Sequence, residues 1–334
     1  MTSKKNIVLV TGASGFVGSH LVRYLSGRGE TVRALYNSRP PNDELQQLPG
    51  VSWLKCDLLD VYDVEEAMDG VTEVYHCAAI VSFKKEDKAQ LLHFNTESTA
   101  NVVNEALERN VRKMIYVSSI ASLGRSKEGE EITEEEQWEE SKYNSVYAES
   151  KHLAELEVWR GQGEGLQAAV VNPGIILGEG DWDTGSSNLV KVVYKEFPYY
   201  TGGINAWVDV MDVAKAMYML MKSDITGERF IVSAGNFSYK EVFTTMAGAM
   251  NRKPPRKLAG KFLSGIVWRL SVLKSKLTGA PATITKETAR TAQRRALYNN
   301  QKLLKALPGF TYTPFQNSIE RIARAYLDDE KLKS

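Results

Sequence analysis

Apolar residues run in short unbroken blocks through the first half of the chain, each followed by a polar or amphipathic stretch of helical period. Blocks at 6–10, 31–36, 51–56, 71–77, 113–119 and 165–171 have the length of buried strands. Helical periodicity intervenes at 19–25, 61–68, 87–110 and about 145–160. This alternation predicts an α/β fold, a Rossmann-type doubly wound parallel sheet. Beyond about residue 173 it breaks down into loops near 178–188 and 197–205 and shorter pieces. Residues 1–172 are therefore read as a dinucleotide-binding domain to which segments near 205–233 return. Residues 173–334 are read as mainly a smaller C-terminal α/β substrate-binding domain, closed by a last helix from about Gln316 to Leu327.

The first block runs directly into Thr11-Gly12-Ala13-Ser14-Gly15-Phe16-Val17-Gly18 and then into a helix. Glycines at such a junction let the backbone turn sharply, approach a pyrophosphate and pack the helix on the strand, while the helix N-terminus offers free N–H groups to phosphates. The rhythm is Gly-x-x-Gly-x-x-Gly rather than the commoner Gly-x-Gly-x-x-Gly. A dinucleotide site is the reading; a ligand-free turn is the alternative.

Composition narrows this picture by exclusion. Lys+Arg of 42 against Asp+Glu of 41 leaves a net charge of +1, so no polyanionic partner such as nucleic acid is expected. Cys56 and Cys77 lie in apolar segments, which suits reduced buried thiols rather than a disulfide, and four histidines without a Cys/His cluster suggest no metal site. The first strand begins immediately after Lys5, leaving no room for a signal-peptide core, and no apolar run approaches a membrane span, so a cytoplasmic protein is expected. The acidic stretch from Glu128 to Glu140 is read as a solvated loop. The basic amphipathic stretch from Lys257 to Leu277 is read as packing on its own domain rather than on a membrane surface.

Two features carry chemistry. The fifth strand ends in Ser118-Ser119, at the sheet edge where folds of this kind bind ligands. Downstream, Tyr147-Ala148-Glu149-Ser150-Lys151 puts a phenol and an ammonium one turn apart on one helical face. A phenol near pKa 10 is a poor acid or base at neutral pH, and a nearby ammonium stabilises its ionised form. Tyr147 could then exchange a proton with a substrate oxygen held by a serine hydroxyl while hydride passes to or from a nicotinamide, with Lys151 on the cofactor ribose.

Taken in order, the Thr-Gly-x-x-Gly-x-x-Gly turn, Ala78-Ala79 at a strand end, the Asn95-x-x-x-Thr99-x-Asn101-Val102 pattern, the Ser-Ser strand and Tyr-x-x-x-Lys resemble the extended short-chain dehydrogenase/reductases of the NAD-dependent epimerase/dehydratase type, over nearly the whole length. The resemblance implies that Ser119, Tyr147 and Lys151 are catalytic. Ser119 is preferred to Ser118 and Ser122 because Gly124 follows it by five residues, as in the family. It implies cofactor contacts at Gly12, Ser14, Gly15, Phe16, Val17 and Gly18, at Asp57 and Leu58 beside the adenine, at Ala78 and Ala79, at Asn95, and at Pro173, Gly174 and Ile175 under the nicotinamide. Capping of the following helix is the alternative for Asp57. The ribose loop carries Asn37 where an acid would select NAD or a base NADP, with Arg39 two residues on, so the cofactor is NADP or NAD with a slight tilt to NADP.

Two departures shape the reaction. Family dehydratases carry Asp-Glu after the catalytic hydroxyl, where this chain has Ile120-Ala121. Family epimerases commonly carry Arg-Asp-Phe where it has Asn205-Ala206-Trp207, and Asp212 nearby is read as a helix cap. What remains is most similar to the dihydroflavonol-reductase-like and hydroxysteroid-dehydrogenase-like members. The expected activity is hydride transfer between NAD(P) and a carbonyl or secondary alcohol on a small to medium, partly apolar substrate. Phe83, Trp182, Tyr199 and Trp207 are candidate pocket walls. The alternatives are a nucleotide-sugar epimerase with tightly bound NAD and a non-catalytic dinucleotide sensor. Many relatives dimerise through the helices near 87–110 and 147, so a homodimer is expected.

Overall fold

The computed structural model describes residues 6–82, 86–124, 130–141, 144–260 and 286–333. Its centre is a seven-stranded sheet in the spatial order 228–232, 168–173, 113–117, 71–76, 7–11, 31–36, 51–55, every neighbour pair parallel. Parallel strands covered on both faces are apolar on both faces, and Ile7–Thr11 shows why its block is unbroken. Val8 and Val10 face one layer of helices, while Leu9 faces the other. The first layer is built from Phe16–Ser26 and Val210–Met221, supplying Leu21, Val22, Leu25, Val213, Met217 and Leu220. Helices Val61–Ala67, Lys88–Glu108 and Val146–Gly163 form the second, through Val64, Val102, Val103, Ala154 and Val158.

A second sheet of three strands lies beside the first. Ile175–Leu177 pairs in parallel with Ile204–Asp209, which pairs antiparallel with Gly235–Ser238. Trp207, Tyr239, Phe243, Ile319, Ile322 and Tyr326 make a separate core beneath it, using the helices Tyr239–Ala249 and Phe315–Lys333. Of the stretch near 205–233, Glu228–Val232 therefore joins the large sheet, whereas Ile204–Asp209 belongs to the small one. The two sheets meet at Gly174. An added Cβ there would lie 2.6 Å from the Ala206 carbonyl oxygen, so the crossing strands touch backbone to backbone.

The second and fourth strands flank the Ile7–Thr11 strand on opposite sides, Thr31–Tyr36 on one and Val71–His76 on the other. That reversal opens a crevice at the carboxyl edge, the usual ligand position in open α/β sheets.

Candidate active site

The glycine turn sits in that crevice. Gly12 has φ +60°, and an added Cβ would lie 2.7 Å from the Ala78 Cα, so this position needs glycine on both conformational and steric grounds. The Thr11 hydroxyl fixes the neighbouring strand end, accepting from the Cys77 and Ala78 N–H groups at 3.2 Å and meeting His76 Nδ1 at 2.7 Å. Burial pushes His76 down to about 3, so the ring is neutral and its other nitrogen meets Thr99 Oγ1 at 3.0 Å. The helix opening at Phe16 has Gly15 at its N-cap, no capping side chain and no acid in its first turn. Its N-terminal dipole and N–H groups are left for an anion. A cavity of about 170 Å³ faces that end, lined by Ser14, Gly15, Phe16, Ser19 and Arg39 on one side and by Gly180–Ser187 residues on the other.

Farther along the same edge, the short turn Ile120–Ser122 begins at Ser119, whose Oγ accepts from the Ala121 N–H at 3.1 Å. The tyrosine helix starts cleanly because the Ser145 hydroxyl caps it, accepting from Ala148 N–H at 3.0 Å. Burial raises the Tyr147 phenol above its ordinary pKa, and a hydrogen bond from the Ser119 hydroxyl opposes that rise. One turn on, Lys151 is 2 % exposed, donates to the Val117 carbonyl at 2.7 Å and lies 4.4 Å from the Tyr116 ring centre. Burial pushes its ammonium down to about 7, against the pull of the Glu155 charge. Ser118 and Ser122 are committed elsewhere: both reach Glu155 Oε2, at 2.6 and 2.8 Å. Of the three candidate hydroxyls, Ser119 is the one that meets the phenol. The glycine five residues later has a packing cause, since an added Cβ at Gly124 would run into the Gln137 backbone.

Several expected cofactor residues have other work. Asn95 is 1 % exposed and spends its amide on the Ile80 backbone (2.8 and 3.0 Å) and the Ser150 hydroxyl (2.9 Å), so it ties the loop after the fourth strand to the tyrosine helix. Asp57 is exposed and caps no helix: it accepts from Leu59 N–H, while Asp60 caps Val61–Ala67. Leu58 is buried, its carbonyl taking the Asn101 amide. Gly174 and Ile175 join the two sheets, Ile175 opposite Trp207, and Pro173 ends the strand before them. Ala78 and Ala79 are half-buried, Ala78 against Gly12, and Asn37 is exposed. Asp212 is likewise not the cap of its helix. Asp209 is, and Asp212 accepts from the Thr313 N–H and hydroxyl at 2.8 and 2.9 Å. Among the proposed pocket walls, Trp207 is fully buried core, Trp182 packs edge-on against Tyr326, and Tyr199 packs with Phe197. Phe83 and most of 257–277 lie outside the described residues. Glu155 escaped the sequence reading, although its place four residues after Lys151 and eight after Tyr147 puts it on the same helical face.

A tight glycine turn, an open helix N-terminus and a serine, tyrosine and lysine along one sheet edge suit a nicotinamide dinucleotide and proton exchange at a substrate oxygen. The similarities to known proteins agree. A putative dihydroflavonol 4-reductase from Synechocystis is 30 % identical over 257 residues, 74 % of this chain and 73 % of that protein. Cinnamoyl-CoA reductase 1 from Petunia hybrida is 30 % identical over 241 residues, covering 67 % and 72 %. The crystal structure of Thermus thermophilus UDP-glucose 4-epimerase in complex with NAD superposes with a TM-score of 0.75 at 26 % identity, covering 96 % of this chain and 99 % of that one. The model of the NAD dependent epimerase/dehydratase family matches residues 8–233, and the chain belongs to that family.

Proposed function

We propose that the protein moves hydride between NADP(H) or NAD(H) and a carbonyl or secondary alcohol of a small to medium, partly apolar substrate, with Tyr147 as the proton donor and acceptor. As a family member it is a nicotinamide-dependent enzyme of the extended short-chain dehydrogenase/reductase type. The observation that carries the finer reading is that Ser118 and Ser122 are tied to Glu155, which leaves Ser119 as the strand-end hydroxyl beside the Tyr147 phenol.

The dinucleotide fits the residues present. The open Phe16–Ser26 N-terminus and the Ser14 and Ser19 hydroxyls face the cavity where a diphosphate would be held, and Gly12 lets the backbone approach. When bound, the nicotinamide supplies the hydride. Arg39 lines the same cavity, and its guanidinium favours NADP over NAD. Ser119 would hold the substrate oxygen in line with the Tyr147 hydroxyl, which gives its proton as the alkoxide forms and takes one back in the reverse direction. Lys151, charged, would bind a ribose hydroxyl and stabilise the phenolate. The small sheet and its helices would form the substrate half, and the outer faces of Lys88–Glu108 and Val146–Gly163 a homodimer interface.

Titration with NADH and NADPH followed by a carbonyl panel tests this reading. Tyr147→Phe should lower turnover about a hundredfold or more while the dinucleotide dissociation constant stays near wild type. Loss of binding with activity would mean that Tyr147 is misplaced. The near full-length likeness to an epimerase favours one second reading, sugar epimerisation with retained NAD. Nucleotide released on denaturing the purified protein, with no net cofactor turnover, would select it.

A further inference from the structure

Glu155 is 2 % exposed, and five polar groups converge on it. Oε2 takes Ser118 Oγ at 2.6 Å, Ser122 Oγ at 2.8 Å and Asn172 Nδ2 at 3.0 Å. Oε1 takes Trp159 Nε1 at 3.3 Å and Arg229 at 3.2 Å. Two of these partners also reach the Ser119 carbonyl oxygen: Asn172 through its second N–H at 3.1 Å, and Ser122 Oγ at 2.8 Å, its one proton shared between that oxygen and Glu155. Arg229 donates in addition to the Glu134 and Glu136 carbonyls, fixing the segment whose Gln137 backbone crowds Gly124. One carboxylate thus joins the tyrosine helix, the ends of two sheet strands and the loop that carries Ser119.

A buried ion pair is a costly way to fill a core, since apolar residues of the same volume often stabilise as well or better. Its use under the Ser119 turn calls for a positional role. We propose that Glu155 is a positioning residue for the Ser119–Tyr147 pair, acting through Ser122 and Asn172, which it holds against the Ser119 carbonyl. The inference rests on the function proposed above. The Ser119 hydroxyl must point at a phenol on a different element, and the carbonyl clamp sets the direction of its residue.

The test compares the full-length protein with Glu155→Gln and Ser122→Ala. Phenolate titration of Tyr147 is followed as the near-ultraviolet absorbance difference between each protein and its Tyr147→Phe counterpart. Tyr147 should titrate at higher pH in both variants, because the hydrogen bond from Ser119 is loosened. Turnover should fall about tenfold in Glu155→Gln and about threefold in Ser122→Ala, with the NADPH dissociation constant of Ser122→Ala within about twofold of wild type. Ser122→Ala removes a single hydroxyl and keeps the proposal open to refutation should Glu155→Gln fail to fold. An unchanged Tyr147 titration in Ser122→Ala, or NADPH binding lost in step with turnover, overturns it. A wild type that binds NADPH but reduces no carbonyl overturns the proposed function instead, and the Tyr147 titration still decides the role of Glu155.

Discussion

Lys151 shows how much one burial can decide. Its ammonium is held at about 7 by desolvation, far below its ordinary 10.5, so near neutrality the unliganded protein holds it partly uncharged. A dinucleotide that needs the charged form must then bind with proton uptake. We expect NADPH affinity to fall as pH rises through about 7, and calorimetry in buffers of different ionisation enthalpy should show protons taken up. The same shift acts on stability with a definite sign. Between about 7 and 10.5 the unfolded chain binds more protons at this site than the folded one, so stability rises with pH across that window and the cost of the buried charge is fully present below it. The melting temperature of the unliganded wild type should accordingly climb more steeply with pH than that of Lys151→Met. Tyr147 and Lys151 could be read from the sequence as candidates because their spacing is local, four residues on one helix. Glu155 shares their face, but its meaning depends on Asn172 and Arg229, which no local spacing reveals.

At the scale of elements, the parallel strands were readable because burial on both faces leaves unbroken apolar blocks, and the strand ends then locate the crevice. The junction between the sheets was not. Gly174 reads as punctuation after a proline, yet the structure gives it a neighbour thirty-odd residues downstream, the Ala206 carbonyl. Gly174→Ala should lower stability by about 1–3 kcal/mol through overpacking, measured by denaturant unfolding, since backbone on the far side cannot rotate away. A wild-type unfolding midpoint for that variant would mean that the strands part easily. Helix caps teach a similar lesson. Asp57 and Asp212 each stand three residues from the acid that does cap, Asp60 and Asp209, and only the path of the chain separates the roles.

For the molecule as a whole, the first half was legible and the second largely was not, because contacts in the second half span long separations. Asp212 meets Thr313 across 101 residues, and Arg321 of the last helix reaches Asp209 at 2.8 Å. Trp207 looked like a pocket wall until its strand left for the small sheet and enclosed it. None of the described helices is long and apolar enough to cross a membrane. The proposed dimer places Leu156, 46 % exposed on the tyrosine helix, in its interface. Leu156→Glu should shift the protein to monomer in sedimentation experiments, and an unchanged dimer would move the interface elsewhere.

The touching backbones at Gly174 and Ala206 bear on how a spent cofactor would leave. No side chain there can swing aside to make room, so any shift between the sheets at that point must move backbone. Across the mouth lies the 178–187 segment, fastened by the Ser186 hydroxyl to the Ile176 carbonyl at 2.5 Å and by Ser187 to Gly178 at 3.3 Å. A dinucleotide held in that cavity would have to pass a segment tied down through two hydroxyls, so its departure would cost two hydrogen bonds.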